Sequence, residues 1–377
     1  MGLYLHVPFC LRKCPYCSFF SVPAGPEKVA RYSQALARQI EVLAAADWGG
    51  CQPFTTIFFG GGTPSLLPAT ELAGLLRDCL AKFPWAAGEI ETSIEVNPAT
   101  VGEAELRQLR RAGFNRLSVG VQSLADSELL ALGRPHNAAE AGAVVAAARR
   151  AGFTNLNLDL MFGLPDQTAA GWQRTLQAAI GLEPEHLAIY ELTIEENTPF
   201  AELRDQGRLA LPDEDEVLTM MAITAEETAG AGFGHYEISN YARPGRECRH
   251  NLKYWHNGSY LGLGAGAVSC LDGRRSAAVQ NVEQYCRAIE SGQEPWSEVE
   301  ELNSEARFRE TVIMGLRLTA GISLVDLERR FGMRAEEYYG SILNRLVAQG
   351  LLIIKGNNLR LTPTGLALAN QVMAELV

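Results

Sequence analysis

An α/β fold is what the sequence predicts: an open, partial (β/α)6 barrel followed by a small winged-helix-like α+β unit. Three observations carry that expectation. From Leu3 to about Gly232, short β-rich runs alternate with longer amphipathic ones, the pattern of parallel βα units. Polar and glycine residues gather after the β-rich runs, at the strand ends where such folds place their function. From about residue 300 the pattern changes to helical segments and a hairpin.

Candidate strands are Leu3–Val7, Thr56–Phe59, Thr92–Val96, Arg116–Val121, Asn155–Met161 and His186–Leu192. Helical candidates are Val29–Ala45, Glu71–Phe83, Glu103–Ala112, Ala138–Ala151, Gly171–Ile180 and Glu214–Ala229. Six units fall short of the eight that close a full barrel. Further on, Glu305–Leu318 reads as a helix, and Ser323 caps another reaching Phe331. Ala335–Gln349 gives a third; Leu351–Lys355 and Asn358–Leu361 then flank a turn at Gly356-Asn357. A closing helix follows Pro363. The chain thus divides into a barrel at 1–235, a connector at 236–300 and a C-terminal unit at 301–377.

The first strand runs directly into Cys10, Cys14 and Cys17, three thiols within eight residues. One tight loop aims three thiolates at a point, as an iron–sulfur cluster requires. Three cysteines for four irons leave one iron free to hold a small molecule. Packed free thiols and a zinc site with His6 as fourth ligand are the other readings. Against zinc, His6 lies inside the strand pattern and no second ligand pair follows. Cys51, Cys79, Cys248, Cys270 and Cys286 lack disulfide-scaffold spacing, so reduced thiols and a cytoplasmic setting are expected.

Strand two runs into Gly60-Gly61-Gly62-Thr63-Pro64-Ser65, strand three carries Glu95 near its end, strand four is followed by Gln122, and strand five carries Asp159. All converge on the rim that holds the cysteine loop. A triple glycine alone is a tight turn; beside a cluster loop it offers bare backbone to a close ligand. Within Leu156-Asn157-Leu158-Asp159-Leu160, an unpartnered carboxylate would be costly.

Cys10-x3-Cys14-x2-Cys17 resembles the cluster motif of radical S-adenosylmethionine (SAM) proteins. The surrounding Tyr4-x-His6-x-Pro8-Phe9-Cys10 and Tyr16 are similar to the branch containing oxygen-independent coproporphyrinogen III oxidase and the HemW-type heme chaperones. The resemblance implies a TIM-like radical SAM barrel and a [4Fe-4S] cluster on Cys10, Cys14 and Cys17. It also implies SAM chelated by the open iron and cleaved, in that family, to a deoxyadenosyl radical. Tyr4, Gly61, Gly62, Thr63 and Glu95 match family positions that contact the cluster-bound SAM, and Tyr16 joins them on the cofactor side. Gln122, Arg134, Asp159 and Thr193 match positions around a second SAM in the oxidase branch, a pocket that another ligand would suit equally. Two departures argue against porphyrinogen decarboxylation. Ser18-Phe19 stand where the oxidase branch has a further cysteine, and the first strand begins at Leu3 without the oxidase's extension.

In Cys248-Arg249-His250-Asn251-Leu252-Lys253-Tyr254-Trp255, ligating and flat aromatic side chains lie close together. Such a stretch is able to ligate a metal and stack on a ring. A hydrogen-bonded core histidine within an aromatic stripe is the simpler local reading. His250-Asn251-x-x-Tyr254-Trp255 nevertheless resembles the motif of HemW-type heme chaperones. On that resemblance the stretch binds heme, with His250 the expected axial ligand and Cys248 its competitor.

The net charge of −11 gives no support to a nucleic acid or an anionic membrane as partner. No apolar run is long enough to span a bilayer. From Glu300 onward nine acidic and nine basic residues balance, so the winged-helix-like unit lacks a basic footprint. Three classes stay in view. The favoured one is a heme chaperone that retains a radical SAM cluster and delivers heme to acceptor proteins. The others are a radical SAM enzyme acting on a tetrapyrrole, such as coproporphyrinogen III dehydrogenase, and a zinc-dependent structural protein. Whether SAM is cleaved, and whether two chains pair as a homodimer, stay open.

Overall fold

The computed structural model describes residues 1–46, 48 and 51–377. Six parallel strands form where the β-rich runs fall: β1 (Gly2–Val7), β2 (Thr56–Gly61), β3 (Glu91–Val96), β4 (Arg116–Gln122), β5 (Leu156–Phe162) and β6 (His186–Glu191). They pair in sequence order. Between and after them run α1 (Pro26–Ala44), α2 (Ala69–Lys82), α3 (Glu103–Ala112), α4 (Ala138–Arg150), α5 (Ala169–Gly181) and α6 (Glu214–Gly230). Local chemistry sets these ends. Asn137, Thr168 and Asp213 each accept a backbone N–H three residues on. Gly113 stops α3 in the left-handed region.

Successive side chains on a strand point to opposite faces, and here the two faces differ in kind. Leu3, Leu5, Val7, Leu117, Val119, Leu156, Leu158 and Leu160 are wholly buried against apolar residues of the helices, Leu36, Ile40, Leu76, Leu109 and Trp172 among them. The alternate positions Glu91, Ser93, Arg116, Ser118, Asn157 and His186 are buried too, yet polar. They line the barrel interior.

Residues 236–300 do more than connect. The chain returns through β7 (Gly234–Glu237) and β8 (Asn240–Ala242), which extend the sheet antiparallel beyond β6. It then crosses to the other side, where β9 (Tyr260–Leu263) pairs parallel with β1. β10 (Val268–Leu271), β11 (Arg274–Ala278) and β12 (Trp296–Glu301) continue from there as antiparallel neighbours. One twelve-stranded sheet results, open between its edges β12 and β7.

The C-terminal unit has its own core, including Phe308, Val312, Leu316, Leu327, Leu343 and Leu346. Ser323 caps its second helix by accepting from Asp326 N at 3.2 Å. The single helix expected over Ala335–Gln349 is instead two, Ala335–Tyr339 and Ser341–Ala348. Gly340 separates them at φ 48°, ψ −114°, a conformation glycine adopts without steric cost. Leu352–Lys355 and Asn358–Leu361 form the expected hairpin, and Ile322–Ser323 adds a third strand.

The cysteine loop leaves β1 over a clamp built from α1. Tyr32 Oη donates to His6 O at 2.7 Å and accepts from Ala265 N at 3.0 Å. Gln39 Oε1 accepts from Gly264 N at 2.9 Å and from Tyr285 Oη at 2.7 Å. Tyr32→Phe leaves a buried carbonyl and a buried amide unpaired, so it should cost about 2 kcal/mol or more. A lowered urea midpoint at unchanged slope checks this; an unchanged midpoint contradicts it.

Candidate functional site

Above the polar interior, at the C-terminal ends of the strands, lies a cavity of about 540 Å³. Cys10, Cys14 and Cys17 line it together with Tyr16, Gly61, Gly62, Thr63, Glu95, Gln122, Arg134, Asp159 and Thr193. Met161 and Tyr190 also line it, as do Leu11 and Phe19. Sequence reasoning missed these four. Met161 and Tyr190 were legible, because they share strand parity with Asp159 and His186.

The cysteine loop and the glycine loop are built against each other. Gly62 N donates to Val7 O at 2.9 Å and Thr63 N to Phe9 O at 2.7 Å. A Cβ at Gly62 would lie 2.6 Å from Phe9 O, and one at Gly61, where φ is +115°, would meet the His6 ring at 2.5 Å. The glycines are therefore needed for close approach of the two loops, whatever ligand they also face. Two side chains point donors at the sulfurs: Thr63 Oγ1 lies 3.8 Å from Cys10 Sγ, and Arg134 Nη1 lies 3.6 Å from Cys14 Sγ. Burial pushes the Cys17 thiol up, and the nearby Cys14 and Cys10 add to it.

Two side chains of β1 pair with each other beside the cavity loops. Tyr4 does not line the cavity; its hydroxyl pairs with His6 Nδ1 at 3.0 Å, and its ring stands beside Phe58 and His250. His6 is equally committed, with Nε2 3.4 Å from Phe20 O, and burial pushes its pKa down to about 4. Among the described residues, no three His, Cys, Asp or Glu side chains are grouped so as to hold a single metal ion.

Acidic and basic groups share the cavity lining, Glu95, Asp159 and Glu195 with Arg12, Lys13 and Arg134. Glu95 accepts from Gly61 N at 3.1 Å, yet burial first and Asp159 second raise its pKa to about 8. Burial also raises Asp159 to about 6, against the opposing pull of Asn157, Arg116, Ser118 and Arg134. Arg134 Nε is buried without a partner. Gln122 closes the wall at φ 68°, a left-handed conformation at a strand irregularity. Such backbone strain concentrates at ligand sites.

Three thiols with donors aimed at two of them suit a cluster, and two buried carboxyl groups, which a cation would draw into the ionised form, fit the sulfonium and ammonium of SAM. When bound, a [4Fe-4S] cluster supplies an electron to its ligand. The chain's own part is to hold the thiols on one loop and to wall the cavity, with Glu95 and Asp159 in its lining.

The Cys248–Trp255 stretch lies elsewhere. The helix Arg249–Trp255 packs at the opposite end of the barrel, where His250 Nδ1 pairs with Thr56 Oγ1 at 2.9 Å, at the start of β2. Its Nε2 pairs with Tyr254 Oη at 3.0 Å, and the ring is 1 % exposed. Cys248 is equally buried, its thiol beside Glu91 and pushed up to about 12 by burial. Trp255 packs under the Arg317 guanidinium, 4.3 Å from its ring centre. The residues expected as axial ligands, His250 and Cys248, are therefore enclosed here: both ring nitrogens are hydrogen-bonded and the thiol is buried. Asn251, Tyr254 and Trp255 sit on this same helix and share no surface with the thiol cavity.

A thiol-lined cavity on an open βα barrel defines a radical SAM protein, and residues 4–179 match the model described as the Radical SAM superfamily. Residues 302–368 match the HemN C-terminal domain. A solved structure of coproporphyrinogen III oxidase (HemN) from Escherichia coli superposes with a TM-score of 0.86 at 24% identity. It covers 100% of this chain and 89% of that one, which establishes the shared fold. The heme chaperone HemW of Bacillus subtilis is 35% identical over 98% of this chain and 97% of its own. That of Mycobacterium tuberculosis is 36% identical over 100% and 94%. That of Escherichia coli is 41% identical over 73% and 72%. The chain belongs to the HemW family of radical SAM proteins.

Replacing Cys10, Cys14 or Cys17 by alanine should reduce iron after anaerobic reconstitution from about four per chain to near none. Cys51→Ser, at an exposed position, should leave it intact. His250→Ala should lower stability by about 2–4 kcal/mol, through two lost buried hydrogen bonds and a cavity. Denaturant titration measures that loss, with iron content expected to stay unchanged.

Proposed function

We propose that this chain is a radical SAM-type heme chaperone that carries a [4Fe-4S] cluster and SAM, binds heme, and hands it to acceptor proteins. One observation carries the proposal. The similarity to heme chaperones runs end to end, covering 97% of the Bacillus subtilis protein, and so includes the C-terminal unit as well as the barrel. The thiol cavity supports the cluster and the SAM. We place the chain in the cytoplasm; among the described residues no helix is long and apolar enough to cross a membrane. The barrel at 1–235, the region 236–300 and the unit at 301–377 remain our division of the chain.

One observation favours a second reading, a coproporphyrinogen III dehydrogenase. Gln122, Arg134, Asp159 and Thr193 do share the cavity. Against it, Phe19 stands 70 % exposed at the cavity mouth, where the oxidase pattern has a cysteine.

Protein reconstituted without oxygen should develop a saturable heme absorption band and lose it to an added apo-hemoprotein. Coproporphyrinogen III, with SAM and reductant, should persist. Protoporphyrinogen formation, or failure to bind heme, would overturn the proposal.

SAM binding should also release protons at about pH 7. Glu95, largely protonated below its raised pKa of about 8, ionises when a cation arrives. Calorimetry in buffers of different ionisation enthalpy reads this release, and Glu95→Gln should remove it.

A further inference from the structure

A chain of buried hydrogen bonds runs through the barrel interior from the cavity to its far end. Asp159 Oδ1 accepts from Asn157 Nδ2 at 2.6 Å and from Ser118 Oγ at 3.3 Å. Asn157 Nδ2 also donates to Ser118 Oγ at 2.7 Å, so the amide is turned with its NH2 toward the carboxylate. Asn157 Oδ1 therefore faces His186 Nδ1, 2.6 Å away, and must accept from it. Burial, and then Arg116, push the His186 pKa well down, which keeps the ring neutral. With the proton on Nδ1, Nε2 is left bare and accepts from Tyr236 Oη at 2.8 Å. The Tyr236 oxygen in turn accepts from Cys248 N at 3.3 Å. Cys248 stands immediately before the Arg249–Trp255 helix.

Each partner thus fixes the next. Asn157 and His186 are 2 % and 1 % exposed, and they lie directly opposite each other on β5 and β6. No water is needed to complete the chain. His186 and Asn157 do not line the cavity, and Asp159 does.

We propose that His186 is a positioning residue for the cavity carboxylate Asp159, acting through Asn157, and that Tyr236 and the Cys248 amide lock its tautomer. This rests on the reading that the cavity binds SAM. Without the Nδ1–H donor, Asn157 keeps only the bonds of its NH2 to Asp159 and Ser118, its Oδ1 end is unheld, and the amide is free to swing and carry the carboxylate with it. The carboxylate would then leave the position in which it meets a cation.

The test is SAM affinity, measured by calorimetry on the full-length, anaerobically reconstituted protein. His186→Leu should weaken SAM binding about ten-fold, within the range of coupling between contacting residues. His186→Gln should restore it to within about three-fold, because an amide offers a donor and an acceptor at nearly the same spacing as the two ring nitrogens. In an Asp159→Asn background, His186→Leu should cause no further loss, since both act on one contact. Thr224→Val, which removes the acceptor of Trp172 Nε1 at 2.9 Å, is the structural control. It should lower stability and leave SAM affinity unchanged. Should His186→Leu fail to fold, Tyr236→Phe frees the tautomer while keeping the ring, and should weaken SAM about three-fold in the wild-type background only. Unchanged affinity in these variants, or losses that add to that of Asp159→Asn, would overturn the positioning role. A wild-type protein that holds its cluster but binds no SAM would overturn the cofactor reading on which it rests.

Discussion

Charge buried inside the barrel is the constraint on which the rest of the structure depends. Barrels of this kind commonly fill their interior with branched aliphatic side chains. Here Arg116, only 2 % exposed, stands within the electrostatic reach of Glu91 and Asp159. A buried ion is tolerated only when partnered. At the lower end, Glu91 accepts from Arg249 N at 3.0 Å and His250 N at 2.9 Å, so the start of the Arg249–Trp255 helix seals that carboxylate. At the upper end Glu95 accepts from Gly61 N, and Asp159 accepts from Asn157 and Ser118. Both line the cavity with their pKa values raised by burial, a state that a cationic ligand would relieve.

The family's His-Asn-x-x-Tyr-Trp motif acquires a structural meaning from the same constraint. Its histidine joins Thr56 to Tyr254 under the barrel, and its tryptophan takes the Arg317 side chain of the first C-terminal region. Arg317 also reaches toward Glu237, which is fully buried, at 3.7 Å. The motif thereby ties barrel bottom to C-terminal unit.

Much of this was legible in residue order. The six strands follow β-rich runs to within a residue or two, and the cavity set followed from strand ends and from family resemblance. Other features depend on neighbours distant in sequence. Tyr4 shares a strand with the cysteine loop, yet whether it reaches the cavity is decided by His6, which stands above it and takes its hydroxyl. His250 has one visible partner, Tyr254 at i+4; the other, Thr56, is 194 residues away. The strands β9 to β12 are short and carry no clean alternation, and β12 is a largely exposed edge, so pairing rather than pattern defines them. His186 had a signal that went unused: it opens a strand on the polar parity shared with Tyr190.

The central claim is that the three thiols and two raised carboxylates form one site for a cluster and a cationic ligand. Electron paramagnetic resonance of the anaerobically reconstituted, reduced protein, recorded before and after adding SAM, tests it most directly. The account predicts a [4Fe-4S] signal that changes shape on adding SAM, and loses that response in Glu95→Gln with Asp159→Asn. Stoichiometric zinc without iron, or a cluster signal that SAM leaves unmoved, would contradict it.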